Sequence, residues 1–85
     1  MSAPTPTKSL RKDLAAEIRR LREAADLTQE EFAFRCGVHR TYVSQIERGL
    51  KSPTVDTLEL LVAALRLPAS ELLKRAESSS RGNLE

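Results

Sequence analysis

Apolar residues recur along the chain at the spacing of amphipathic helices. Leu10, Leu14, Ile18 and Leu21 predict a first helix from about Ser9 to Ala25, with these four as its buried stripe. Leu58, Leu61, Val62 and Leu65 stand at i, i+3, i+4 and i+7, a second stripe facing a core. Pro53 marks a loop before it, Thr54 can cap it, and Asp56 suits its first turn. After Leu67, Pro68 fits the first turn of a last helix over 68–76, in which Leu72 closes the core. Leu60 falls off its helix's stripe. Leu73 is a neighbour of Leu72 and is expected to point away from it, so both lack a place in a monomer core.

Between these runs, residues 28–49 read as two short helices and a tight turn. Thr28 and Glu31 stand three apart, the spacing at which a hydroxyl and a carboxylate satisfy each other's backbone amides in a capping box. The helix they open runs to about Cys36. Gly37 stops it, because the residue past a helix end often takes a positive φ that glycine adopts cheaply. The next helix begins near Arg40 and ends at Gly49 in the same way. Phe32, Ala33, Val38, Val43 and Ile46 point inward, with Ala33 small enough for a close helix crossing. The opposite face of the second helix carries Arg40, Thr41, Ser44, Gln45 and Arg48, and Glu47 points elsewhere. A helix with that polar, cationic face can enter the major groove of DNA.

Composition bounds the rest. Eighty-five residues make one small domain, and 40% hydrophobic with 31% charged residues place it among folded chains. A net charge of +2 argues little by itself; the position of Arg35, Arg40, Arg48 and Lys51 in or beside the helix pair argues more. One cysteine excludes an internal disulfide framework and fits a reducing cytoplasm. Cys36 is read as an inert, packed thiol. No apolar run is long enough to span a membrane, and no secretory signal is seen. There is no pairing of acid and nucleophile, no metal-ligand cluster and no glycine-rich phosphate loop. The chain is therefore not read as an enzyme, and no metal or cofactor is expected. Residues 1–8 read as a disordered arm, 9–76 as the domain, and 77–85 as a disordered polar tail.

Gln29, Ala33, Gly37, Val38, Val43 and Ile46 resemble the helix-turn-helix pattern of the phage-repressor (Cro-like, xenobiotic-response-element) family. The run Ile18 to Glu23, Leu27 to Glu31, Ser44 to Gly49, and Ser52-Pro53 extend the match to roughly residues 10–75. Two positions depart from the pattern. Phe32 replaces a commoner aliphatic, and His39 stands where Ser or Thr usually caps the second helix. The resemblance implies an all-α fold, a compact five-helix repressor-like domain with the helix-turn-helix at helices 2 and 3. It also implies an ion pair between Arg22 and Glu47, locking the first helix to the recognition helix. The family dimerises through the end that carries Leu60 and Leu73, which makes them candidate interface residues of a homodimer.

The expected partner is double-stranded DNA. Arg40 can donate twice to O6 and N7 of guanine, with a phosphate contact as its other reading. Thr41 offers a hydroxyl or a methyl contact, and the Gln45 amide matches adenine. Ser44 stands beside this row as a further base-reading candidate. Gln29, at a helix N-terminus where free amides collect, is placed to bind phosphate. Tyr42, Arg48, Lys51, Ser52 and Thr54 are further candidates for phosphate. His39 is either a turn residue at the helix mouth or a contact to phosphate or base. The implied function is a sequence-specific transcription regulator acting as a homodimer on near-palindromic operators. Arg40-Thr41-Tyr42 at the head of the recognition helix also resembles restriction–modification controller proteins. The alternative is a DNA-binding antitoxin whose main partner is a toxin. Were the protein an activator, exposed acids such as Glu30 would be the groups to touch RNA polymerase.

Overall fold

The computed structural model describes residues 9–82 and contains five helices and no strand among them. In chain order they are α1 (Leu10–Ala24), α2 (Gln29–Cys36), α3 (Arg40–Glu47), α4 (Val55–Leu65) and α5 (Ala69–Gly82). The expected arm at 1–8 and the last residues of the tail, 83–85, lie outside the described residues.

Each of the first four helices starts on a side-chain cap. Ser9, Thr28, His39 and Thr54 accept backbone N–H groups of α1 to α4, and the Thr28–Glu31 capping box is complete in both directions. Each of the four also ends in the same way. A residue with positive φ follows the helix, at Asp26, Gly37, Gly49 and Arg66. The N–H of the next residue then reaches back five positions: Leu27 to Arg22, Val38 to Ala33, Leu50 to Gln45 and Leu67 to Val62. An apolar residue follows each turn, and Leu27, Val38 and Leu67 pack into or against the core. Leu50 stays exposed.

The core is formed by Leu14, Ile18, Leu27, Phe32, Ala33, Cys36, Val43, Ile46, Leu61, Val62, Leu72 and Ala76. α1 packs on α5 and α3, α2 on α3 and α4, and α4 on α5. Phe32, the largest fully buried side chain, fills the space an aliphatic residue would leave.

Three expectations need correction. Leu10 is 48% exposed: it is the first residue of α1, a turn beyond the last core layer at Leu14. Leu73 is half-buried and packs against the core, so only Leu60 of the pair stands clear, at 46% exposed. Consecutive residues are about 100° apart on a helix, and an apolar stripe that wide holds both. Ala69, Leu72, Leu73 and Ala76 form such a stripe, covered by α1 and α4 together. Finally, α5 continues to Gly82, whereas the sequence pattern predicts a disordered tail from residue 77. Serines lower helix propensity without breaking a helix, and the chain meets no proline or glycine until Gly82.

Candidate nucleic-acid interface

α3 is held from behind by buried charge. Arg22 Nε donates to Glu47 Oε2 at 2.7 Å and Nη2 to Oε1 at 3.0 Å, a fork-to-fork pair between α1 and the end of α3. The side chains are 9% and 1% exposed. The remaining Arg22 edge is used too, with Nη1 donating to the Leu27 carbonyl at 2.7 Å. The hydrogen bond to Glu47 raises the Arg22 pKa above its ordinary value, against the opposing effect of burial. One arginine thus ties together α1, the turn before α2, and α3.

A third member of this cluster escaped the sequence. Gln29 Nε2 donates to Glu47 Oε1 at 3.0 Å. The side chain assigned to phosphate therefore spends one amide hydrogen inside the protein and keeps the other, since a primary amide has two. The backbone amides at the start of α2 are untouched by this. A donor near a buried acid was the available signal, visible only once α2 and α3 had been crossed in space.

His39 caps α3. Its Nδ1 accepts the Thr41 N–H at 3.1 Å, so the neutral ring carries its proton on the outward Nε2. The imidazole does the work usually left to a hydroxyl and still offers a donor. Thr54 is spent locally, accepting the Thr57 N–H at 3.1 Å and donating to Thr57 Oγ1 at 2.9 Å.

At about 100° per residue, Val43, Ile46 and Glu47 define the inner side of α3. Thr41, Gln45 and Arg48 fall opposite them, flanked by Ser44 on one side and Tyr42 on the other. Arg40 lies on the edge nearest Glu47, beside the start of α2. Arg40, Thr41 and Arg48 are exposed, and Tyr42, Ser44 and Gln45 half-buried. Past the helix, the N–H groups of Leu50 and Lys51 both return to the Gln45 carbonyl, at 2.9 and 3.3 Å. That fold-back sets Lys51 Nζ over the Tyr42 ring, 5.9 Å from its centre. Ser52 is exposed in the loop that follows. The structure therefore brings Arg40, Thr41, Tyr42, Ser44, Gln45, Arg48 and Lys51 to one side of the molecule.

Cys36 is buried, and burial pushes its thiol pKa up to about 11. No group of acids, histidines or cysteine among the described residues is arranged to hold a metal. No described helix is long and apolar enough to cross a membrane.

Two short helices crossing at a glycine turn, the second one outward-facing and polar, define a helix-turn-helix protein. A family model described as helix-turn-helix matches residues 18–72, and the chain belongs to that family. Among relatives, it is 34% identical to the control protein C.BamHI of Bacillus amyloliquefaciens, over 93% of this chain and 95% of that one. Among solved structures, it is similar to the clp gene regulator ClgR of Corynebacterium glutamicum, with a TM-score of 0.86 at 29% identity. That match covers 93% of this chain and 84% of the other. It is also similar to the restriction-modification controller protein C.AhdI of Aeromonas hydrophila, with a TM-score of 0.70 at 34% identity. Here 72% and 92% of the two chains are covered.

Proposed function

We propose that this helix-turn-helix transcription regulator binds near-palindromic operators as a homodimer and serves as the controller of a restriction–modification system. The observation that carries this reading is the division of α3. Its inner side is fixed by the Arg22–Glu47–Gln29 cluster. Its outer side presents Arg40, Thr41, Ser44 and Gln45, whose side chains donate no hydrogen bond within the described structure. These side chains reach the surface with donors open to an outside partner, and the major groove supplies acceptors in a sequence-dependent pattern. The similarity to control proteins supports the narrower role.

In the bound state α3 lies in the major groove. Arg40 reads guanine, Thr41 and Gln45 read neighbouring bases, and Ser44 lies beside them. Arg48, Lys51, Ser52, the outward edge of His39 and the free amides of α2 bind phosphates, which set register without reading sequence. The Tyr42 ring steadies Lys51 at the backbone. Lys51→Ala lowers affinity for all duplexes alike and reduces the salt slope by roughly one unit.

One such helix covers too few base pairs for a useful operator. A two-fold copy places a second helix about 34 Å away, one turn of DNA. Leu60 is an exposed apolar residue of α4 offered to that contact, and half-buried Leu73 of α5 is the second candidate. Beside a promoter, the outer surface of α2 with exposed Glu30, Glu31 and Phe34 faces RNA polymerase. The test is selection of bound DNA from a random duplex pool, with the mass of the complex measured in the same buffer. An enriched near-palindrome bound by two chains supports the reading. Weak, salt-sensitive binding without enrichment overturns it.

A further inference from the structure

Arg40 has a neighbour that DNA recognition does not by itself explain. Glu30, the second residue of α2, brings Oε2 to 3.7 Å from Arg40 Nη1. The adjacent Glu31 completes the capping box, and Gln29 and Arg22 are bound to Glu47. Glu30 takes part in neither arrangement. It lies with Arg40, Gln29, Thr28 and Arg22 around the shallow groove between the starts of α2 and α3. A carboxylate in a first turn suits the helix dipole, but the dipole does not account for its approach to Arg40.

We propose that Glu30 is a specificity-determining positioning residue: its carboxylate tethers the Arg40 guanidinium at the α2–α3 edge and keeps it turned toward a base instead of a phosphate. The inference rests on Arg40 reading DNA as proposed above. A guanidinium has five donors in a planar fork. A carboxylate on one edge leaves the other free for the two acceptors of guanine. An untethered arginine has many rotamers, and the phosphates flanking the groove attract it without regard to sequence. Glu30 acts on both alternatives. It holds one edge of the fork, and its charge makes the adjacent phosphate position less favourable for the side chain. The tether is open to solvent, with side chains 65% and 79% exposed, so it biases the arginine and does not lock it.

The test is equilibrium binding of the purified protein, without polymerase, to its selected operator and to duplexes changed one base pair at a time. Arg40→Ala identifies the position that Arg40 reads. Glu30→Asp keeps the charge and shortens the reach; Glu30→Gln keeps the reach and removes the charge. Both variants are expected to lower discrimination at the Arg40 position by roughly two- to five-fold, the range of an exposed ion pair. Positions read by Thr41 and Gln45 stay unchanged. Glu30→Gln also binds every duplex tighter, because one repulsive charge beside the phosphates is gone. Glu30→Asp does not. If Arg40→Ala flattens one position while both Glu30 variants leave it intact, the positioning role is overturned. Equal losses of discrimination at all positions overturn it as well. If Arg40→Ala flattens no position, base reading by Arg40 is what fails.

Discussion

The half of the molecule made of α1 to α3 and the half made of α4 and α5 are held together differently. Among the described residues, the buried charged ones, Glu17, Arg22 and Glu47, lie in the first half. Glu17 is paired with Arg20, and Arg22 with Glu47. The buried residues described in the second half are Leu61, Val62, Leu72 and Ala76, all apolar. Apolar contacts are non-directional and tolerate small rotations of a helix. A bidentate ion pair with a third hydrogen bond on the same carboxylate tolerates few. The stricter fastening is found where a helix must be aimed, and the looser one where the fold only has to close.

The largest effect expected from breaking this contrast comes from the ion pair. Arg22→Ala or Glu47→Ala leaves a buried charge without its partner and costs about 3–5 kcal/mol, read by urea unfolding. Replacing both, Arg22→Met with Glu47→Leu, recovers most of that stability, since apolar residues of similar volume often match a buried pair. The doubly substituted protein is expected to fold yet discriminate operators poorly, because α3 has lost its directional fastening. If its base preference equals that of the original protein, the contrast between the halves carries no functional meaning.

In the apolar half, Leu72→Ala removes a fully buried side chain and costs about 2–5 kcal/mol. Leu60→Ala changes the unfolding of the monomer by less than about 0.5 kcal/mol. Under the proposed two-fold contact it weakens self-association instead, and sedimentation across a concentration series is the check.

A smaller effect concerns the start of α2. The Thr28 amide hydrogen bond holds the Glu31 carboxyl below its ordinary pKa, with the Thr28 hydroxyl contact adding to this. A depressed folded-state pKa means that the contribution is complete above the unfolded value and is lost as pH falls through the folded one. Acid unfolding therefore includes loss of this cap at the low end of the carboxylate range. Glu31→Gln, which keeps an acceptor at the same place, removes that part of the pH dependence. Thr28→Ala costs about 1 kcal/mol near neutrality.

The smallest effect compares the helix ends. Asp26 and Arg66 hold φ of 60° where Gly37 and Gly49 hold 73°. A left-handed conformation is strained for both, and glycine relieves that strain while adding freedom to the unfolded chain. Arg66→Gly is expected to stabilise by up to about 1 kcal/mol on thermal unfolding, the net of these opposing terms.

What was legible in the sequence follows from how local each feature is. The Thr28–Glu31 box and the Gly37 and Gly49 turns depend on a few adjacent residues, and all three are found as read. The Arg22–Glu47 pair spans 25 positions and was carried by the family resemblance, not by spacing. The positive φ of Asp26 and Arg66 left no mark, because neither residue advertises a left-handed turn as glycine does. The Leu73 packing and the Gln29–Glu47 bond also stayed hidden. One depends on how wide a face two other helices cover, the other on where α2 crosses α3. The Glu30–Arg40 approach is of the same kind, a consequence of the crossing alone.

The outer side of α3, with its flanks, is the proposed DNA-facing surface. The most direct measurement is amide chemical-shift mapping by NMR while the selected operator is titrated into the labelled protein. Shifts are expected to concentrate at the start of α2, at residues 39–45 and at residues 48–52. The α5 stripe of Leu72 and Ala76 should stay unmoved. Shifts concentrated on α4 and α5, with residues 39–45 silent, would contradict that proposed surface.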